Sequence, residues 1–523
     1  MASRMDLRLG IDVGGTNTDA VVLGRDDALL ARAKVATTPD VSSGIAGSIA
    51  AAVEVLGEGR ERITHAMLGT THATNAVLER KHLRRVAVLR IGAPATFAIR
   101  PLFGWPQDLR AEISAGELIV GGGFEFDARE IAPLDTDAIA RFAASVAGTA
   151  EGIAVTGVFS AVSPDHEMIA RDVLRKELGD IHISLSHEIG SLGLIERENA
   201  TVLNAALTGV AGDVAGAFHG ALTESGIDPV TFFAQNDGTL MDLEYALRFP
   251  VLTIGSGPAN SIRGAAYLTG STDAIVVDVG GTSADVSVLV GGFPRESSSG
   301  VEIGGIQTNF RMPDLVTIAV GGGTCIRERG DDVTVGPDSV GYRLTDEALV
   351  FGGGTPTLTD AAVSGGRAAI GERGRTAGHE GLLARALVIA ETMLAEAVDR
   401  VKTSREPRPL IAVGGGSVLV PESIPGVSEV HRPAHFDVAN AIGAAIASVA
   451  GEVDRIVHLG SGGRLAAVEE VSEEARARAV AAGASPGSVE IVEVEEIPLA
   501  YLTNPAVRIR VKAAGPLDVG ERS

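Results

Sequence analysis

Residues 9–23 read LGIDVGGTNTDAVVL, and residues 275–289 read IVVDVGGTSADVSVL. Each copy opens with a short β-rich run, Leu9–Val13 or Ile275–Val279, interrupted by one acidic residue, Asp12 or Asp278. A Gly-Gly-Thr turn follows at Gly14–Thr16 and Gly280–Thr282, and a second alternating run at Asp19–Leu23 and Asp285–Leu289. Two such runs joined by a glycine turn predict a β-hairpin. Glycine lets backbone N–H groups approach a ligand with no Cβ between them. With Thr16, Asn17, Thr18, Thr282 and Ser283 adding polar side chains, each turn becomes an anion-binding concavity suited to phosphate. A carboxylate at the strand end would repel phosphate, so Asp12 and Asp278 make sense beside Mg²⁺ or its waters. A Gly-rich hairpin with no ligand remains the plain alternative for either copy alone. Two copies sharing D-V-G-G-T and the following Asp read as two halves of one phosphate clamp.

The rest of the composition frames that reading. At 523 residues the chain exceeds what one core supports, so two or three domains are expected. Hydrophobic residues make up 45% and charged residues 21%, which fits a packed globular protein and not a disordered one. The net charge of −23 opposes nucleic acid and anionic membranes. An anionic nucleotide would therefore be held locally, by N–H groups and a metal. The single cysteine, Cys325, excludes a disulfide framework and a four-cysteine cluster within this chain. MASRMDLRLGID holds no apolar run of signal-peptide length and no 18-residue apolar run follows, so a cytoplasmic protein without membrane spans is expected.

Between the hairpins the pattern alternates. Gly44–Leu56 has helical spacing, and a strand ending at Gly69 precedes Thr70, Thr71 and His72 in a turn, with a helix from near Thr74. Polar groups at a strand end under a helix N-terminus suit an anion or polar substrate, and equally suit an ordinary helix cap with a surface histidine. Strands are expected at Arg85–Ile91 and Gly152–Phe159, a Gly/Pro-broken region at Pro94–Gly123, and a helix at His166–Leu178. Ile195–Phe218 predicts a long Ala-rich helix whose Glu196 and Glu198 favour its dipole. After the second hairpin come two glycine triplets, AVGGGTCIR (319–327) and AVGGGSVLVP (412–421). Phe436–Gly451 reads as a small-residue helix, Val471–Ala482 as a charged helix, and Ser488–Leu502 and Ala506–Ala513 as strands.

This ordered set resembles the acetate and sugar kinase, heat-shock chaperone and actin ATPase superfamily. The carriers are the two DVGGT hairpins, an acidic residue opening a small-residue helix (Glu198 in ERENATVLNAAL), VGGGSVLVP and the ANAIGAA helix. The resemblance implies an α/β fold of two actin-like (ribonuclease H-like) domains with ATP in the cleft between them, plus a small C-terminal α+β tail. The expected boundaries are 1–190, 191–453 and 454–523. It implies that Gly14, Gly15, Thr16, Asn17 and Thr18 form the first phosphate loop and Gly280, Gly281, Thr282 and Ser283 the second. Asp12 and Asp278 match the acidic positions that hold Mg²⁺ through water. Gly414, Gly415, Gly416 and Ser417 match the adenosine loop, in preference to Gly321–Thr324, because VLVP and the ANAIGAA helix follow them. Each domain would then supply one phosphate loop.

Within the superfamily the chain is similar to the hydantoinase A / 5-oxoprolinase family. GTTHATNAVLER (69–80), TVLNAAL (201–207), IGSGPANSIRGAA (254–266), DVGGTSADVSVL (278–289), TIAVGGGTCI (317–326), GPDSVG with GGGTPTLTDA (within 336–361) and VEIVEVEEIPLAYL (489–502) carry that likeness. Three departures stand out: Asn17 where Phe is frequent, Asn260-Ser261 where a Gly-Gly pair is frequent, and His72 where several relatives are apolar. The resemblance implies ATP-dependent opening of a cyclic amide, such as a hydantoin, a lactam or a 5-oxoproline-like ring. Transfer of the γ-phosphoryl to the carbonyl oxygen activates a poor electrophile for attack by water, and the protein's part is positioning and charge stabilisation. His72, Thr70, Thr71 and Asn75 are the candidates for the substrate side, with Asp285 a structural residue. His72 and Asn75, three residues apart, can share one face of a helix, and an imidazole with an amide can pair with a ring N–H and C=O. The resemblance also implies an oligomer and a separately encoded partner subunit. A small-molecule kinase and a chaperone- or reactivase-type ATPase share the nucleotide motifs, whereas radical-enzyme activators need an iron–sulfur cluster that one cysteine per chain does not supply in the usual arrangement.

Overall fold

The chain is described here from a computed structural model, over residues 7–518 apart from 25, 38–40, 191, 298–299, 311, 331, 459–462 and 500–505. Both hairpins form where the sequence places them. Leu7–Val13 pairs antiparallel with Asn17–Leu23, and Ala274–Val279 with Ala284–Val290. Each continues into a third antiparallel strand, Leu29–Ala36 in the first half and Leu315–Ile318 in the second. Each first strand also has a parallel neighbour, Ile63–Thr70 or Arg408–Val413. The two halves are thus built on one repeated four-strand unit, the paired actin-like arrangement.

The first unit is the edge of a nine-stranded sheet that runs on through Val230–Ala234, Thr239–Asp242, Ser448–His458, Ala506–Gly515 and Glu490–Leu499. Sheet pairing therefore crosses both expected boundaries. Val230–Ala234 lies beyond residue 190 yet pairs with Ile63–Thr70. The tail strands join the same sheet through Ser448–His458, which pairs with Ala506–Gly515 over ten residues, Val449 to His458. That strand replaces the end of the expected Phe436–Gly451 helix, which spans only Ala439–Ile446. Val449 and Val453 alternate inward, both buried, so the period-two pattern outweighs the small residues around them. The expected strand over 488–502 spans Glu490–Leu499, and residues 500–502 lie outside the described residues.

A separate parallel sheet holds Ser114–Gly121, Val86–Ala93, Gly152–Gly157 and His182–Leu185. The Gly/Pro-broken stretch 94–123 is more ordered than its sequence suggests, containing the helix Gln107–Ile113 and the strand Ser114–Gly121. The long helix Leu194–Glu224 packs between this sheet and the helix Val41–Leu56. Its Glu198 is fully buried and binds Arg90 through both carboxylate oxygens, each at 2.6 Å, a bidentate pair that fixes the helix to the parallel sheet. The dipole is thus not its main partner. By length and composition this helix alone, among the described residues, would span a membrane, but 61% of its apolar window is buried inside the protein.

The two halves meet where Ser256–Thr269 crosses Ala439–Ile446. A Cβ on Gly264 would stand 1.9 Å from Ala439 O, and one on Gly443 would stand 1.9 Å from Asn260 O. Only glycine allows backbones this close.

Candidate functional site

Between the repeated units lies a cavity of about 880 Å³. Gly14–Asn17 form one wall and Gly280–Ser283 the facing one. The turns close alike, with Gly14 N donating to Asn17 O (3.0 Å) and Gly280 N to Ser283 O (2.9 Å). They also touch. A Cβ on Gly281 would lie 2.4 Å from Thr16 Oγ1. Thr18 lies beneath the first turn, fully buried, with its Oγ1 3.3 Å from Thr37 Oγ1.

Behind the turns the registers coincide. Asp12 stands across from Asp19, and Asp19 from Lys34. Asp278 stands across from Asp285, and Asp285 from Thr317. Asp12 is 4% exposed, and burial, reinforced by the Asp19 charge, pushes its carboxyl up to about 7. Burial likewise raises Asp278, opposed by bonds from Ser261 and Asn440. A cluster of side chains links the two acids along the cavity floor. Asn440 Nδ2 donates to Asp12 Oδ2 at 3.4 Å, and Ser261 Oγ lies 2.7 Å from Asn440 Oδ1 and 2.5 Å from Asp278 Oδ2. Among the described residues, Asp12 Oδ1 and both polar atoms of the fully buried Asn260 side chain have no partner in good hydrogen-bond geometry. The Asn260 amide is nonetheless close enough to Asp12 to favour its charged form.

An Mg²⁺ ion fits this donor set. It binds through one or two carboxylates plus phosphate oxygens while keeping several waters. Asp12 presents a buried oxygen with no well-formed hydrogen bond among the described residues, and two burial-raised carboxyls lining one cavity are stabilised by a cation. No cage of three or more His, Cys, Asp or Glu side chains exists among the described residues, so the remaining ligands would come from phosphate and water.

The two glycine triplets do different work. Gly414–Gly416 line the cavity, as do the apolar Val418, Leu419, Leu344, Ala362 and Ile370. Gly414 has φ +82°, and a Cβ there would lie 2.2 Å from Asp278 Oδ1. Ser417 is buried behind them and donates its N–H to Gly414 O. Gly321–Gly323 instead brace the second turn from behind, with Gly322 N donating to Gly280 O and Gly323 N to Gly281 O. Of these three, Gly322 alone also reaches the cavity wall.

GTTHATN is placed differently from the phosphate loops. The helix starts at His72, two residues before the expected Thr74. His72 Nδ1 lies 2.6 Å from Thr70 Oγ1, and both border a second hollow of about 20 Å³ walled by Leu207, Val210, Phe233 and Pro250. Burial lowers the His72 pKa, leaving a neutral ring. Thr71 Oγ1 donates to Val13 O at 3.2 Å, and Asn75 N donates to Thr71 O at 2.9 Å. None of the four stands in the wall of the large cavity. They follow the strand beside Asp12, as Gly414–Ser417 follow the strand beside Asp278.

Motif reading missed Lys34, Arg32 and Asn440 in the cavity wall and Asn260 and Ser261 behind it. Asn260-Ser261 did carry a signal, as a departure from Gly-Gly at the point that faces both acids.

Two family models match the chain: "Hydantoinase/oxoprolinase N-terminal region" over residues 8–178 and "Hydantoinase/oxoprolinase" over residues 197–373. Among curated proteins, the caprolactamase subunit alpha of Pseudomonas jessenii is 28% identical, over 71% of this chain and 56% of its own length. The acetophenone carboxylase gamma subunit of Aromatoleum aromaticum is 28% identical, over 68% and 52%. The 5-oxoprolinase 1 of Arabidopsis thaliana is 29% identical, over 56% and 26%. The chain spans little more than half the length of the first relatives it matches. Its fold is similar to that of the solved ATP-dependent caprolactamase from Pseudomonas jessenii, with a TM-score of 0.77 at 20% identity over 98% of this chain and 88% of that one. A nucleotide-free acetone carboxylase gives 0.72 at 18%, over 98% and 88%.

Proposed function

The chain belongs to the hydantoinase/oxoprolinase family, and from that premise we propose that it uses ATP to open a cyclic amide ring. The observation that carries this reading is the pair of facing DVGGT turns, each backed by a buried acid, around a cavity of about 880 Å³. N–H groups of Gly15–Asn17 and Gly281–Ser283 would cradle the phosphates, with Thr18 buried beneath the first turn. Asp12 and Asp278 would hold Mg²⁺ through water, and Gly414–Gly416, backed by Ser417, would pack against the adenosine. Bound Mg²⁺ would neutralise charge on the phosphate oxygens. Backbone donors preorganised on rigid hairpins need no reorganisation during transfer, which favours catalysis. The substrate carbonyl oxygen takes the γ-phosphoryl group as ADP leaves. A first water attacks the activated carbon, and the ring C–N bond breaks with the nitrogen leaving as a protonated amine. A second water cleaves the resulting acyl phosphate to carboxylate and free phosphate.

On the substrate side we place Thr70, Thr71, His72 and Asn75, at the first-half counterpart of the adenosine loop. The neutral His72 ring offers one donor and one acceptor, and apolar Leu207, Val210 and Phe233 beside it suit a ring's methylene groups. Admission of a ring there requires the helix His72–Glu79 to move outward. A second chain is part of this reading, because relatives are named as subunits of caprolactamase, acetophenone carboxylase and acetone carboxylase. Those carboxylase names support one other reading, in which ATP activates a ketone carbonyl for carboxylation.

The test is ADP release with Mg²⁺ over lactams, hydantoins and 5-oxoproline, and over ketones with bicarbonate, with and without a co-purified partner. Ring-opened amino acid formed with ADP and free phosphate supports the hydrolase. Stable phosphorylated product would instead mark a kinase, and ATP hydrolysis indifferent to every carbonyl compound a motor.

A further inference from the structure

Lys34 lines the cavity with no role in either family motif. Arg32 and Arg367 also line the cavity, but each has another partner. Arg32 is held by Asp437 at 3.0 and 3.3 Å near the rim, and Arg367 is held by Glu391. Lys34 is anchored at its base by Asp19, 2.6 Å from Oδ1 and 2.8 Å from Oδ2. An ammonium group has three donors, and the side chain is 34% exposed and lines the cavity. It lines the same cavity as Asp278 and both glycine turns. At the matching register position the second half has Thr317, a neutral residue. At this register position the first half alone supplies a cation, and it is the half away from Gly414–Gly416.

We propose that Lys34 binds the terminal phosphate of the nucleotide, the phosphate farthest from the adenosine wall, because Lys34 belongs to the half of the clamp opposite Gly414–Gly416. The proposal rests on ATP occupying this cleft. Asp19 then positions the ammonium, while Asp12 and Asp278 remain committed to the cation side of the triphosphate.

Calorimetric titration of the full chain with Mg²⁺, using ADP and a β,γ-imido ATP analogue separately, tests it. Lys34→Met should weaken the triphosphate analogue by about 10- to 100-fold, as expected for loss of a charge-assisted bond, and ADP by less than about 3-fold on the same scale. Lys34→Arg should retain most of the discrimination. The double variant Asp19→Asn with Lys34→Met removes the buried carboxylate that the single variant strands, and should show the same selective loss. Equal weakening of both nucleotides, or no weakening in a folded variant, overturns the assignment. Failure of the unaltered chain to bind either nucleotide would overturn the ATP reading itself, a different result from loss of selectivity.

Discussion

The two hairpins share D-V-G-G-T but differ at the residues that meet the rest of the molecule. Gly10 and Val276 hold the same place, two residues before the acid. The helix Ala439–Ile446 lies directly on the first hairpin, where a Cβ on Gly10 would stand 2.3 Å from Ala441 O. Val276 instead packs among Ile262, Ala265 and Ile411. The third strands differ likewise. Asp19 faces Lys34, whereas Asp285 faces Thr317, whose hydroxyl donates at 2.6 Å. Even the bracing differs, since Thr37 holds the first turn through Gly14 O and Gly321–Gly323 hold the second. A phosphate-binding turn is thus a local device that can be copied, while charge and packing around each copy follow its side of the cleft.

The largest expected effect tests what the copies share. Asp12→Asn and Asp278→Asn should each lower ATP turnover by at least about 100-fold, the scale of losing one key electrostatic group, with the circular dichroism spectrum unchanged. If only one variant loses activity, the clamp is one-sided and the duplication is structural.

Next in size is Gly10→Ala, which puts a methyl into the helix Ala439–Ile446. Overpacking of this kind costs about 1–3 kcal/mol, read as a lower denaturation midpoint with an unchanged slope. Val276→Ala removes volume from a core without closing on backbone, and its cost should resemble an ordinary cavity of about 1–2 kcal/mol. Equal sensitivity to adding one methyl at Gly10 and at the open Gly15, where no atom lies within 4 Å of a Cβ, would contradict the packing account.

These particulars show what was legible in the chain. The hairpins, the long helix and both glycine triplets were readable because turn chemistry and alternation are local. Lys34 was not, since a lysine in a strand gains meaning only once its register against Asp19 is known. Asn440 lay within a quoted motif, but an uncharged residue in a small-residue helix does not announce that it will sit between two acids 428 and 162 positions away. The strand Ser448–His458 was hidden because its partners, Thr239–Asp242 and Ala506–Gly515, are remote. The motif GTTHATN was found, yet its helix starts early enough to turn His72 toward Leu207 and Phe233.

A smaller effect separates the glycine triplets. Gly415 faces open space, so Gly415→Ala adds a methyl to the cavity wall and should weaken ADP by about 3- to 10-fold, roughly 0.7–1.4 kcal/mol. A Cβ on Gly322 meets Thr359 Oγ1 at 2.9 Å, so Gly322→Ala should lower thermal stability more than affinity. The opposite pattern in calorimetry and melting would move the adenosine to the earlier triplet.

The smallest effect concerns pH and the Asp285–Thr317 pair. Burial raises the Asp285 carboxyl from 3.8 to about 6, opposed by the Thr317 hydroxyl. Between those values the folded chain holds a proton that the unfolded chain releases, so this group makes stability fall as pH rises. Its contribution is greatest below the lower value and is lost by the time pH passes about 6. Asp285→Asn keeps a hydrogen-bonding oxygen for Thr317 but cannot titrate. Denaturation at a series of pH values should therefore show the variant losing less stability than the parent across that window, by at most one proton's slope. The two curves should meet near pH 4, and the variant should lie above at pH 7. Asp19→Asn should behave differently, because it strands the Lys34 ammonium that the second half lacks. Parallel curves for Asp285→Asn and its parent would mean that Asp285 titrates alike in the folded and unfolded chain, and the burial account of this carboxyl would fail.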